Sequence, residues 1–221
     1  MIHVVAGAVT RADGRVLIAQ RPPGKHLAGS WEFPGGKLEP GEARAAGLAR
    51  ELREELDITI RDPRPLVRVR HTYPYGEVLI DMWVVTRYEG EPRGLDGQAL
   101  RWCTQDELAT SDLLPADRPI VRALRLPERL TQSSTDHYNI ADSIRPWGSV
   151  GGKLWGIYCA TGREATAAAR SGADFIVLQR ELPGWEVATL CESVSVPVFA
   201  RGPAPEALFA LGASGTNAIT L

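Results

Sequence analysis

Cysteine is scarce in this chain. Cys103, Cys159 and Cys191 are the three in 221 residues, and no two stand at the spacing of a metal clip or a disulfide framework. A zinc site and a cross-linked secreted scaffold are therefore not expected. A reduced, cytoplasmic protein is, with the thiols as core or surface groups. Basic excess is also missing: 25 Lys and Arg face 27 Asp and Glu, a formal net charge of −2. Direct nucleic-acid binding usually leaves a strongly basic footprint, so none is implied. No apolar run approaches the ~20 residues of a membrane span. The opening MIHVVAGAVTRADGR has no basic n-region and only a short apolar stretch, so neither a secretory leader nor a membrane partner is expected.

What is present is ordinary for a globular protein: 44% hydrophobic and 24% charged residues, in a length that allows two domains. Residues 1–128 read as mixed α/β. IHVVAGAV and RVLIAQR are strand-like and meet at the turn Ala12-Asp13-Gly14. Gly24 to Lys37 reads as a loop. After Pro40-Gly41 the pattern turns helical, from Glu42 to about Leu56. LVRVRHTY and VLIDMWVVTRY are further strands, and PADRPIVRALRL opens a short helix at Pro115.

Residues 129–152, rich in Ser, Thr, Asp, Pro and Gly, read as a linker. From 153 to 221 strand-like and helix-like stretches alternate: LWGIYCA, REATAAARSG, DFIVLQ, WEVATLCESV, PVFAR, PEALFALGA, NAIT. That alternation predicts parallel βα units. Four strands are half of what a closed (β/α)₈ barrel needs, so the segment is at most a half-barrel whose edges must be covered.

One helical stretch is chemically odd. RELREELDI, 50–58, carries six charges. At about 100° per residue, Glu54, Glu51 and Glu55 fall within one arc, while Leu52, Leu56, Ala45 and Ala49 form the opposite, buried stripe. Ion pairing explains Arg50–Glu54 and Arg53–Asp57, each one turn apart. It does not explain Glu51 and Glu55, which repel each other by about 0.2–0.5 kcal/mol at that spacing. A divalent cation would reverse the repulsion, and hard carboxylates without His or Cys suit Mg²⁺ or Mn²⁺. Helix physics alone leaves a solvated face and a metal site equally open.

The wider spacing separates them. GKLEPGEARAAGLARELREELDI, from Gly36, resembles the Nudix box, G-x5-E-x7-R-E-U-x-E-E-x-G-U with U aliphatic. Gly36, Glu42, Arg50, Glu51, Glu54 and Glu55 match in register, and Leu52 and Ile58 fill aliphatic slots. Six identities at about a tenth frequency each give ~10⁻⁶ per window by chance. The departure is Asp57, where the family has Gly. The resemblance implies an α/β/α sandwich around a mixed sheet. It also implies metal-assisted hydrolysis of a nucleoside diphosphate linked to another group. Glu51, Glu54, Glu55 and a carbonyl of Gly35 or Gly36 would be the ligand set, and Arg50 would orient a carboxylate. Glu51 is the first choice for the general base, which the sequence does not fix.

Within the family, EFPGGK (32–37), EGEP (89–92), GLDGQALRW (94–102) and LPADRPI (114–120) look like the MutT branch, which removes oxidised guanine nucleotides such as 8-oxo-dGTP. That likeness implies substrate contacts from Arg21, His26, Glu32, Phe33, Pro34, Gly35 and Asp117, and a further metal-reaching acid at Asp96. Asp117 stands where the branch reads the base; its alternative is a helix N-cap. His71 and the tryptophans read as packing residues. In the second half, GADFIVLQ, PVFARG and EALFALGASGTNAI look like late βα units of the thiamine-monophosphate-synthase/TenI barrel. The first barrel half is absent and an Arg-Gly replaces the phosphate-loop Gly-Gly, so no synthase activity is implied. Unpaired parallel edges there predict a homodimer. The function expected is 8-oxo-dGTP hydrolysis to the monophosphate and pyrophosphate. The competing readings are another nucleotide or thiamine-related diphosphate as substrate, and a non-catalytic nucleotide sensor.

Overall fold

The computed structural model describes residues 1–131, 138–141, 153–202 and 204–218. The chain divides into two compact units, one of Met1–Arg64 with Val69–Val121, the other of Pro65–Arg68 with Arg122–Leu221.

The first unit runs β1 (Ile2–Val9), β2 (Val16–Gln20), β3 (Trp31–Glu32), β4 (Gly35–Lys37), α1 (Arg44–Leu56), β5 (Thr59–Arg61), β6 (Arg64–Tyr73), β7 (Gly76–Val85), β8 (Arg87–Glu89), β9 (Leu100–Cys103) and α2 (Gln105–Thr110), then a 3₁₀ turn at Pro115–Asp117 and α3 (Arg118–Ala123). The main sheet is mixed, in the order β4-β1-β7-β6. β1 runs antiparallel to β4 and parallel to β7, from Ile2 opposite Val78 to Val9 opposite Val85. A smaller sheet holds β3-β2-β9, and β5 pairs with β8. Two strand pieces thus lie in the stretch read as a 24–37 loop, and the VLIDMWVVTRY strand is broken at Thr86.

Period-2 alternation in β1 decides the two faces of the main sheet. Val5 and Val9 point to a core completed by Leu48, Leu52 and Leu56 of α1 with Leu17, Ile58 and Val85. Each of those leucines contributes about 1.5–3 kcal/mol by burial. Ile2, Val4 and Ala6 face the other way, into a cavity. The buried stripe of α1 is Gly47, Leu48, Leu52 and Leu56; Ala45 is exposed and Ala49 only half-buried. Asp57 ends α1 in the left-handed conformation, φ 59° and ψ 37°, with its N–H donating to the Arg53 carbonyl. Asp visits that region at modest cost, so it replaces the family glycine without breaking the cap. Its carboxylate pairs with Arg93, not with Arg53, which donates instead to the Thr59 hydroxyl at 2.5 Å.

In the second unit, β10 (Arg129–Leu130) and β11 (Asn139–Ala141) are followed by β12 (Trp155–Cys159), α4 (Gly162–Arg170), β13 (Phe175–Glu181), α5 (Gly184–Ser193), β14 (Val198–Arg201), α6 (Pro205–Ala210) and β15 (Gly215–Asn217). The sheet order is β10-β15-β14-β13-β12-β11, parallel at every pairing. One face packs Ile157, Ile176, Val187, Leu190 and Val198; the other packs Leu130, Phe175, Val177 and Phe199. Burial on both faces explains why these strands read as unbroken apolar runs. The sheet is consistent with a partial barrel, with six strands rather than four. The two extra strands correct the linker reading of 129–152: β10 and β11 lie in that range and cap the two edges. β10 and β11 are themselves the outer strands of this sheet among the described residues. The rest of that range, 132–137 and 142–152, lies outside the described residues.

Candidate active site

Pairing of β4 to β1 brings Gly35 opposite Ala6 and Gly36 opposite Val5, beside the acidic face of α1. Gly35 demands glycine, and Gly36 leaves room for a neighbouring side chain. A Cβ on Gly35, which sits at φ +149°, would lie 2.1 Å from the Val5 carbonyl oxygen. A Cβ on Gly36 would lie 2.2 Å from Glu51 Oε2. The motif glycine is thus the space in which the Glu51 carboxylate lies against the backbone.

Arg50 organises the acids. Its Nε and Nη2 donate to the two oxygens of Glu42 at 3.0 Å each, and Nη2 also donates to the Lys37 carbonyl at 3.1 Å. Nη1 reaches Glu51 at 2.9 Å and Glu54 at 3.2 Å. This fork holds the guanidinium proton far above its ordinary range, through the bonds to Glu42 and Glu51, and lowers the Glu42 carboxyl. Glu55 is held differently: its Oε2 accepts from the Gly35 N–H at 3.0 Å. Burial pushes its carboxyl up to about 7, and the Gly35 bond offsets this only in part. The loop after β8 is fastened around the same residue. Leu95 N–H and Gln98 Nε2 both donate to the Glu55 carbonyl, at 3.0 and 3.1 Å, which sets Asp96 at the cavity.

That cavity, about 820 Å³, is lined by Glu51, Glu54, Glu55, Gly35, Gly36 and Asp96 at one end. Arg21, His26, Glu32, Phe33 and Asp117 line it as well. Of the residues expected from sequence, Arg50 stands behind the acids rather than on the wall, and Pro34 contributes a carbonyl that accepts the Gly7 N–H at 2.9 Å. Arg21 pairs with Glu32 and donates through Nε to the His26 carbonyl at 2.8 Å. Asp117 is no helix cap: it closes the 3₁₀ turn, and its Oδ2 accepts from the Phe33 N–H at 3.3 Å. The wall also holds Tyr73 and Tyr75, stacked at 5.1 Å and 7°. His71, read as packing, meets the edge of Tyr73 at 4.4 Å. Neither tyrosine stood out in the sequence; their place on either side of Pro74, at the turn before Gly76, was the available signal.

A divalent cation fits the chemistry of the acid end: four carboxylates and the Gly35–Gly36 backbone supply only hard oxygen donors. Among the described residues no three such groups converge closely enough to hold an ion, because Arg50 and Gly35 engage the carboxylates. Glu51 is 14% exposed and Glu54 61% exposed, and both accept from Arg50 Nη1.

Asp117 carries a pH signature. Burial first, then the charge of Glu32, pushes its carboxyl up to about 8. An acid that stays protonated when folded but ionises above about pH 4 when unfolded makes stability fall as pH rises between those values. Asp117→Asn keeps an acceptor for Phe33 and does not titrate. We expect its Tm to fall less steeply than that of the parent between pH 5 and 8; superimposable melting curves across that range would remove Asp117 from the account.

Residues 5–123 match the NUDIX domain family. The chain is 39% identical over 123 residues to the CTP pyrophosphohydrolase of Escherichia coli K12, covering 56% of this chain and 90% of that protein. It is 32% identical over 124 residues to the 8-oxo-dGTP diphosphatase of the same strain, covering 56% and 96%. The solution structure of the E. coli ORF135 protein is similar with a TM-score of 0.52 at 38% identity, over 57% of this chain and 89% of that one.

Proposed function

The chain belongs to the NUDIX family through residues 5–123, and from that premise we propose that it is a metal-dependent nucleoside triphosphate pyrophosphohydrolase that converts 8-oxo-dGTP to 8-oxo-dGMP and pyrophosphate. The observation that carries the reading is the shared cavity. One wall gathers Glu51, Glu54, Glu55 and Asp96; the same space holds Phe33, Tyr75 and Asp117. Acids suited to a polyphosphate and aromatics suited to a base thus serve one ligand.

When bound, Mg²⁺ or Mn²⁺ would neutralise the polyphosphate and acidify water; Glu51, Glu54, Glu55 and the Gly35–Gly36 backbone are the residues to hold it, with Asp96 in reserve. Arg50 donates to Glu51 and Glu54 and so orients them. Water adds to one phosphorus of the bridge between monophosphate and pyrophosphate, the bridging P–O bond breaks, and a carboxylate takes the proton of the water. Arg21 and Lys25 line the cavity as phosphate partners. Asp117 is an acid raised by burial, and a protonated carboxyl both donates to and accepts from a base edge.

A second substrate reading is cytidine triphosphate, favoured by the higher identity to the CTP pyrophosphohydrolase, 39% against 32%. Pyrophosphate release from 8-oxo-dGTP, dGTP, CTP and dCTP decides between them: we expect 8-oxo-dGTP to show the highest kcat/KM, and a clear preference for the cytidine nucleotides would replace it. The role we assign is sanitation of the nucleotide pool in the cytoplasm. No helix among the described residues is long and apolar enough to cross a membrane. The second unit we read as a TenI-like remnant without synthase activity, supported by its all-parallel βα order.

A further inference from the structure

Asp57, the motif position where this chain departs from its family, has a partner in the loop that carries Asp96. Its backbone ends α1 in the left-handed conformation, which glycine adopts at least cost. Its carboxylate accepts from Arg93 Nη2. From Arg93 the loop completes the end of α1. The last carbonyls of a helix lack partners inside it, and the loop supplies them here. The Arg93 N–H donates to the Leu56 carbonyl at 3.0 Å, and the Leu95 N–H and Gln98 Nε2 donate to the Glu55 carbonyl at 3.0 and 3.1 Å. Gln98 Oε1 then accepts from the Asp96 N–H at 2.9 Å. The chain also enters this loop hard against the cap: a Cβ on Gly90 would lie 2.8 Å from the Asp57 carbonyl oxygen. Asp96 is thereby set on the cavity wall with Glu51, Glu54 and Glu55.

We propose that Asp57 and Arg93 are positioning residues whose ion pair clamps the 93–98 loop to the end of α1 and so holds the Asp96 carboxylate at the divalent-cation site. The inference rests on the metal reading above and gives a task to the residue that breaks the motif. A glycine cap would supply the same backbone conformation without a side chain, so the carboxylate is not needed to end the helix. At a helix C-terminus the dipole opposes an anion; the Arg93 guanidinium offsets that charge and ties it to the loop. Both side chains are at least half exposed, so the pair is a modest one. It acts on a short surface loop, and such loops lie at the low end of local stability. A modest pair there shifts the docked population, and apparent affinity follows the fraction that is competent to bind.

The test compares the full chain with Asp57→Gly, Arg93→Ala and the double variant, and repeats Asp57→Gly in an Asp96→Asn background. Mn²⁺ binding without nucleotide is followed by the EPR signal of the free ion, exchange of the Leu95 amide by NMR in the metal-free protein, and Tm by melting. Each single variant should raise the Mn²⁺ Kd about two- to fivefold, the scale of an exposed ion pair, and speed Leu95 exchange. The double variant should add nothing to either. Tm should stay close to that of the parent, because glycine takes the left-handed cap without strain. In the Asp96→Asn background Asp57→Gly should leave the Kd where it stands, a result that a merely structural role does not produce. An unchanged Kd in both single variants overturns the proposal, as does a rise that persists undiminished without the Asp96 carboxylate. A failure of the metal reading looks different: the parent itself takes up no Mn²⁺, which removes the role of the pair with it, while Leu95 exchange still responds to Asp57→Gly.

Discussion

Glu55→Gln retains the native fold and loses about 10³-fold or more in kcat, since the electrostatic help a bound metal gives is worth several kcal/mol and each 1.36 kcal/mol is tenfold. The fold survives because the glutamine carbonyl still accepts from Gly35, the bond Glu55 makes at 3.0 Å. Burial already works against the charged form of Glu55, so a neutral amide is compatible with the site. What disappears is an anionic oxygen beside Glu51, Glu54 and the Gly35–Gly36 backbone. Steady-state rates with saturating Mg²⁺, together with melting curves, check both halves. Parental kcat in the variant would refute the ligand assignment.

Arg50→Ala should lower activity by about 10²-fold, the scale seen when a group that orients metal ligands is removed. One guanidinium serves Glu42, Glu51, Glu54 and the Lys37 carbonyl. Without it three acids gathered at one guanidinium are left unpaired, and two of them, Glu42 and Glu51, are largely covered. The loss should appear as a higher Mg²⁺ concentration for half-activation, which a merely structural role would not select. Arg50→Lys should not restore it, since an ammonium cannot make the bidentate bond to Glu42 while also reaching Glu51 and Glu54. A lysine variant with the parental Mg²⁺ requirement would contradict the positioning role.

The acid end was legible because its chemistry lives on one helix, where residue spacing fixes geometry. Glu51, Glu54 and Glu55 needed only a wheel, and the glycine tolerance of Asp57 followed from backbone sterics. The alanine stripe failed where the wheel says nothing: which part of the apolar arc meets the sheet depends on docking, and Leu48 is buried while Ala45 is exposed. Arg93 was invisible as the partner of Asp57 because the two are 36 positions apart and meet only through the docked loop. β10 and β11 have two and three residues, too short to show any period, and their polar surroundings read as linker.

The central claim is that the Glu51–Glu54–Glu55 face hydrolyses a nucleoside triphosphate at its internal bridge with the help of a divalent cation. Product analysis of the parental protein on 8-oxo-dGTP, with Mg²⁺ and then with excess EDTA, tests it most directly. The account predicts 8-oxo-dGMP and pyrophosphate in equal amounts with Mg²⁺, and no turnover once the metal is chelated. Orthophosphate with the diphosphate as products, or undiminished turnover in EDTA, would contradict it.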